Sequence, residues 1–229
     1  MEVLPMFSPT LSLSILSLSV LCYPSGVAQI IALITKRDNR NAASKYILIS
    51  IIIMLINLAM VAIYVPYYNS FDLRMSNPLI IVAGLLLGIV ALLIEYTLGY
   101  IMLKLQKKRV GTRITVHSDW SNADWKLWVG TIAYALIEEI LYRGVFAYIL
   151  LNLLGLHAWT FVLISSITYA LNHLRLGASV VVQKWITGII LAMFYIITGG
   201  NIIAVILAHM LQNILVLLLG QKRQQGRLK

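Results

Sequence analysis

The stretch ALIEEILYRGVF, residues 135–146, sets two adjacent glutamates and an arginine inside an otherwise apolar run. Burying a charge in hydrocarbon is costly, so ionisable groups kept there need a partner, a water-filled cavity or a function. The surrounding sequence makes hydrocarbon the relevant solvent. Of 229 residues, 60% are hydrophobic and 11% are charged, with a mean hydropathy of +0.89. A soluble domain carries about 25% charged residues. The chain is expected to be an all-α polytopic membrane protein.

Seven apolar runs are long enough to cross about 30 Å of hydrocarbon as helices. They cover residues 11–35, 46–66, 78–103, 125–151, 158–174, 178–198 and 200–219. The first is serine-rich and interrupted by Pro24 and Gly26, which predicts a kinked helix. No internal repeat or soluble domain is visible. The chain divides into residues 1–124, three transmembrane helices with a basic cytoplasmic loop; 125–219, a helical core; and 220–229, a basic tail.

Lys and Arg set the orientation. Lys36, Arg37, Arg40 and Lys45 follow the first span. Lys104, Lys107, Lys108, Arg109 and Arg113 follow the third, and Arg175 follows the fifth. Lys222, Arg223, Arg227 and Lys229 follow the seventh, while the intervening connections hold only Arg74, offset by Asp72. This alternation predicts an outside N-terminus and a cytoplasmic C-terminus. The same distribution accounts for the net charge of +10 without nucleic acid, because the basic residues lie between apolar runs as topology signals and headgroup contacts do. Trp120, Trp125 and Trp128 read as an interfacial belt where the fourth helix begins. The start lacks a basic n-region, which argues against a cleaved signal peptide, and bulky Leu21 argues against a lipid on Cys22. A single cysteine excludes an intrachain disulfide.

The ionisable groups expected within the membrane are Glu95, Glu138, Glu139, Arg143, His173, Lys184 and His209. Glu95 is best explained by pairing with a basic group or by reaching the interface, and Lys184 by snorkelling to the cytoplasmic side. His117 and His157 fall in a polar loop and at a helix end. Glu139 and Arg143 are four apart with the glutamate first, the favourable order for an ion pair on one helix face. Glu138 lies about 100° round the helix from Glu139 and has no obvious local cation. It is therefore the candidate general base for water. The alternative is a purely structural polar network.

His209 and Asn213, also four apart, share a face of the seventh helix, and His173 ends the fifth. Counting along each span puts Glu138 and His209 near mid-membrane, Asn213 nearer the cytoplasm and His173 nearest to it. The four groups can meet in one water-accessible cavity in the cytoplasmic half.

These residues carry a family resemblance. Glu138, Glu139 and Arg143 fit an E-E-x-x-x-R motif. His173 fits the end of F-x-x-x-H, with Tyr169 where phenylalanine is usual. His209 and Asn213 fit H-x-x-x-N. Over about residues 125–217 the chain resembles the CAAX protease and bacteriocin-processing (CPBP) family of intramembrane peptidases, which includes the type II CAAX prenyl endopeptidases. The first three helices carry no matching motif. The resemblance implies that Glu138 and His173 activate water. It implies that His209 and Asn213 polarise the scissile carbonyl or stabilise the oxyanion, with Glu139, Arg143 and Tyr169 in support. It also implies a membrane-associated peptide or protein as substrate. The extra hydroxyl of Tyr169 alters pocket polarity and leaves the catalytic groups intact.

Glu138, His173 and His209 could alternatively form a His₂Glu zinc site with an open position, although they do not form H-E-x-x-H and come from three helices. A metal-free glutamate mechanism is the preferred expectation. Short loops and a compact chain favour a bacterial plasma membrane, where family members are linked to bacteriocin self-immunity and peptide maturation. Two other classes compete: a non-enzymatic scaffold or immunity protein using the cluster only for packing, and a small transporter using Glu138 as proton carrier. The absence of an inverted repeat counts against transport.

Overall fold

The computed structural model describes residues 9–24, 26, 28–30, 42–65, 77–106 and 124–225. Seven helices organise these residues, and none of them forms a strand. They are α1 (Pro9–Leu21), α2 (Ala42–Tyr64), α3 (Pro78–Leu105), α4 (Trp125–Glu139), α5 (Ala158–Leu171), α6 (Ala178–Ile197) and α7 (Ile202–Gln225). Four segments, Ser44–Tyr64, Pro78–Leu105, Ala178–Ile197 and Ile202–Leu219, are long and apolar enough to cross a membrane. α5 has 14 residues, or about 21 Å at the helical rise, short of the full hydrocarbon thickness. α4 is also short, and π-helical turns at Ile140–Val145 and Tyr148–Leu153 extend it.

Helix starts follow local chemistry. Asn77 caps α3 by accepting from Leu79 N at 3.0 Å, with Pro78 in the first turn, where its missing N–H costs nothing. Asp124 caps α4 by accepting from Leu127 N at 2.8 Å, and the same oxygen accepts from Ser44 of α2 at 3.1 Å. His157 caps α5 through Nδ1, which accepts from Trp159 N at 3.3 Å. Gly199 and Gly200 take positive φ values of 68° and 88° in the turn into α7. There the side chain of Asn201 accepts from Ala204 N at 2.9 Å.

The first span breaks where Pro24 and Gly26 predict it. α1 stops at Leu21, the chain bends through residues 22–24, and helical conformation returns at residues 26 and 28–30. Pro24 has no N–H to continue a helix. A Cβ on Gly26 would lie 2.5 Å from Tyr23 Cδ1, so only glycine lets the chain fold over that ring. The basic residues 36, 37, 40, 74, 107–109, 113, 227 and 229, together with His117 and Trp120, lie outside the described residues.

Small residues set the register of the bundle. A Cβ on Gly84 would meet Ala204 O at 2.5 Å, and one on Gly88 would come closer still to Ala208 O. α3 and α7 therefore run parallel with backbones in contact, the close approach that a G-x-x-x-G spacing permits. α5 and α6 meet at Gly188, whose absent Cβ would lie 3.1 Å from Ser166 and from the Tyr169 ring. α2 and α4 run parallel, joined by Ser44–Asp124 and by Ile47 packed against Gly130. An apolar core of Met54, Leu58, Leu141, Phe146, Phe161 and neighbours fills the space between α2, the π-helical turns and α5. The lipid-facing sides expose Leu86, Leu93, Ile63 and Ile197, as expected where lipid replaces water.

Candidate active site

α4 delivers Glu138 and Glu139 at its last turn, just before the helix widens. The widening is visible in the i−5 bonds, such as Phe146 N to Leu141 O and Leu154 N to Ile149 O at 3.0 Å. π-helical turns are frequent at functional sites because they re-aim the side chains around them. Here the turn carries Tyr142, Arg143 and Gly144, all buried.

Arg143 is fully buried, and its Nη1 donates to Glu139 Oε1 at 3.1 Å, the ion pair that the spacing predicts. Its Nη2 donates to the backbone carbonyl of Gly188 on α6 at 3.0 Å. Its guanidinium carbon lies 4.9 Å from the centre of the Tyr169 ring. A buried charge is tolerable only with such a set of partners.

His209 enters from α7, one residue past the Gly88–Ala208 contact. Its Nδ1 lies 2.7 Å from Glu139 Oε1. A buried carboxylate at that distance requires a donor, so Nδ1 carries the proton and Nε2 faces the other way. On that side, Nε2 is 3.8 Å from Glu138 Oε2 and 3.4 Å from the Tyr169 hydroxyl. The expectation that Glu139 merely neutralises Arg143 therefore needs extending: the same oxygen also orients His209. Glu138 is 1% exposed, and its Oε1 has no hydrogen-bond partner among the described residues. Arg143 pairs with Glu139 and not with Glu138, the division of the two carboxylates that the helical spacing predicts.

Tyr169 links the two histidines. Its ring centre is 5.1 Å from that of His173 and 5.8 Å from that of His209, edge-on to both. His173 sits just past the C-terminal end of α5, half-buried, with Nδ1 3.1 Å from Tyr169 O. Among the described residues no hydrogen bond or ion pair joins His173 to Glu138. Glu138 and His209 face each other, and His173 packs edge-on against the Tyr169 ring. Asn213 lies one turn beyond His209 on the same face, at 9% exposure.

The zinc alternative does not fit this arrangement. Among the described residues no group of three His, Cys, Asp or Glu side chains is placed to hold a metal ion.

Several contributors have no counterpart in the motifs. Tyr142 accepts from the side-chain amide of Asn172, which also donates to Thr168 O at 2.9 Å, joining the π-helical turn to the end of α5. Gln29 is buried and brackets His173: its Nε2 donates to Asn172 O at 2.9 Å, and its Oε1 accepts from Arg175 N at 3.1 Å. The spacing of Gly84 and Gly88 is the one sequence signal that could have disclosed the α3–α7 contact. Nothing in the sequence marks Gln29.

Lys184 and Glu95 are partners rather than independent surface groups. Lys184 Nζ lies 2.9 Å from Glu95 Oε1, and Thr187 donates to the same oxygen at 2.7 Å. The glutamate is paired, as expected. The lysine also has a protein partner, because α3 and α6 bring a carboxylate within its reach.

Residues 119–215 match the family model described as type II CAAX prenyl endopeptidase Rce1-like. No curated protein and no solved structure matches the chain. The matched stretch contains Glu138, Glu139, Arg143, Tyr169, His173, His209 and Asn213, and leaves α1–α3 outside. Over these residues the chain is similar to CAAX-type proteases. Together with the four long apolar helices, this makes it an integral membrane protein.

Proposed function

We propose that this protein is an intramembrane endopeptidase that hydrolyses a peptide bond of a membrane-associated protein or peptide. The observation that carries the reading is the placement of Glu138, a buried carboxylate with one unpartnered oxygen among the described residues and the other 3.8 Å from His209 Nε2. A general base for water needs an acceptor free of permanent partners and a neighbour that manages charge.

In this scheme Glu138 removes a proton from water, and the resulting hydroxide attacks the scissile carbonyl carbon. Charge develops on the carbonyl oxygen, where the Asn213 amide donates to it, while His209 Nε2 faces the protonated Glu138. Glu139 holds His209 through Nδ1 and is itself held by Arg143. Glu138 returns the proton to the leaving amine. His173, the less buried of the two site histidines, orients the water from the cytoplasmic side. Zinc has no role in this scheme, because the described side chains do not assemble a ligand set.

The Lys/Arg alternation supports seven crossings, an outside N-terminus and a site opening to the cytoplasm, and the short loops support a bacterial plasma membrane. α5 would then cross as a short helix completed by the turn at Leu174–Leu176. A role in bacteriocin immunity or peptide maturation is the finer form of the same reading.

The test compares peptides in membranes of wild-type and Glu138→Ala cells. Loss of specific cleavage products, with the variant still accumulating in membranes, is the expected result. One observation favours a scaffold instead: Glu139, Arg143 and His209 are almost fully buried and bonded to one another. Unchanged peptide profiles in both Glu138→Ala and His173→Ala cells would establish that second reading.

A further inference from the structure

Three of the buried side chains near the site carry polar atoms that no protein group among the described residues satisfies. Thr131 Oγ1, both amide atoms of Gln212 and Glu138 Oε1 have no hydrogen-bond partner among the described residues. Their residues are 2%, 0% and 1% exposed respectively. Buried polar atoms are nearly always satisfied by protein or by ordered water, so each such atom calls for an account.

Their positions supply one. Thr131 and Glu138 are seven residues apart on α4, two helical turns along one stripe, with Ala135 between them. α4 and α7 pass each other with Glu139 against His209. Gln212, one turn past His209, therefore comes level with the turn of α4 that carries Ala135. α3 runs beside α7 through the Gly84–Ala204 and Gly88–Ala208 contacts, which brings Ala91 to the same level. Ala91 and Ala135 are both fully buried. Gln212 on α7 thus lies level with Ala91 of α3 and Ala135 of α4, the α4 residue flanked by Thr131 one turn before and Glu138 one turn after. A water molecule needs two to four polar partners and room for one probe sphere. An amide, a hydroxyl and a carboxylate oxygen together supply both donors and acceptors.

We propose that the α3–α4–α7 seam is a water-binding site, in which Gln212 and Thr131 hold water that supplies Glu138. The ligand is water itself, the second substrate of a hydrolase enclosed by lipid-facing helices. The supply role rests on the peptidase reading; the binding of water does not. Gln212 and Thr131 touch water before it reacts, and Glu138 alone takes its proton.

The test uses the full-length protein in lipid nanodiscs. Radiolysis generates hydroxyl radicals from bound water, and these oxidise neighbouring side chains. The expected result is oxidation of α4 and α7 peptides around Ala135 and Gln212 in the wild type. This should fall several-fold in Thr131→Val/Gln212→Leu, while oxidation at exposed Trp125 is unchanged. Thr131→Val alone, nearly isosteric, guards against a fold defect in the double variant. On a peptide identified from Glu138→Ala membranes, kcat should fall about tenfold with KM unchanged, the factor that one lost water-mediated hydrogen bond is worth. Gln212→Glu should restore part of it.

A wild-type seam no more oxidised than that of the double variant would overturn the water site. Loss of oxidation with unchanged kcat would overturn the supply role. An oxidised seam in a protein whose peptide profile is insensitive to Glu138→Ala would uphold the water site and remove the peptidase reading instead.

Discussion

His209 presents Nδ1 to Glu139 at 2.7 Å, closer than any contact it makes with Glu138. The two adjacent glutamates are thereby divided. One is anchored between an arginine and an imidazole, and the other is left with an open oxygen. A carboxylate that orients an imidazole fixes which ring nitrogen faces the reaction, as in other His-dependent sites.

Glu139→Gln should therefore damage two functions at once. The amide can still accept from Arg143 or His209, but it leaves the buried arginine without a counter-charge. Removing one partner of a buried pair costs about 3–5 kcal/mol. Thermal unfolding in detergent should show a lower midpoint, and residual activity should fall with it. Glu138→Gln should instead leave the midpoint unchanged or raise it while abolishing cleavage. Equal destabilisation by both variants would contradict the division.

Tyr169→Phe isolates the hydroxyl that faces His209 Nε2 at 3.4 Å. The ring contacts with Arg143, His173 and His209 remain. Folding should be unaffected, and kcat should change by about tenfold or less, the range of one neutral hydrogen bond. Tyr169→Leu, which removes the ring over Arg143, should unfold at lower temperature. A fold defect in Tyr169→Phe itself would show that the hydroxyl is structural.

Gly88→Ala and Gly99→Ala make a controlled pair. The first drives a methyl into the backbone carbonyl of Ala208, next to His209, and the helices must separate. Overpacking of this kind costs about 1–3 kcal/mol, and displacement of His209 should reduce activity further than stability. The second meets only the end of the Gln183 side chain at 2.8 Å, which can swing away. Activity assayed at a temperature where both variants remain folded separates the two. Equal activity of the pair would refute the claim that the α3–α7 contact positions His209.

Gln29→Leu removes both bonds to the backbone that flanks His173. Losing a partner costs a buried backbone group about 1–3 kcal/mol, which applies to Asn172 O, and less at the half-buried Arg175 N. Faster amide exchange around residues 172–175, with α7 unaffected, is the expected outcome in exchange mass spectrometry. Unchanged exchange there would mean that the turn is held by other contacts.

Much of the architecture is legible in the apolar runs. The run at 78–103 became α3, Pro78–Leu105, and the run at 178–198 became α6, Ala178–Ile197. Hydrocarbon demands that backbone bonds be closed within each segment, so the run itself nearly specifies the helix. The break after Leu21 was partly legible in Pro24 and Gly26. The π-helical turns at Ile140–Val145 and Tyr148–Leu153 were not, because no residue spacing there separates an i−5 bond from an i−4 bond.

By itself, the sequence determined what a single helix can determine. Glu139 pairs with Arg143 because four residues make just over one turn, and Asn213 follows His209 for the same reason. Tertiary structure alone decided which glutamate His209 would meet, that Tyr169 would pack against both histidines, and that Gln29 would reach across to hold the turn after α5. Those outcomes depend on the rotation and depth of each helix against its neighbours. Backbone contacts at Gly84, Gly88 and Gly188 fix these, and no periodicity within one helix encodes them.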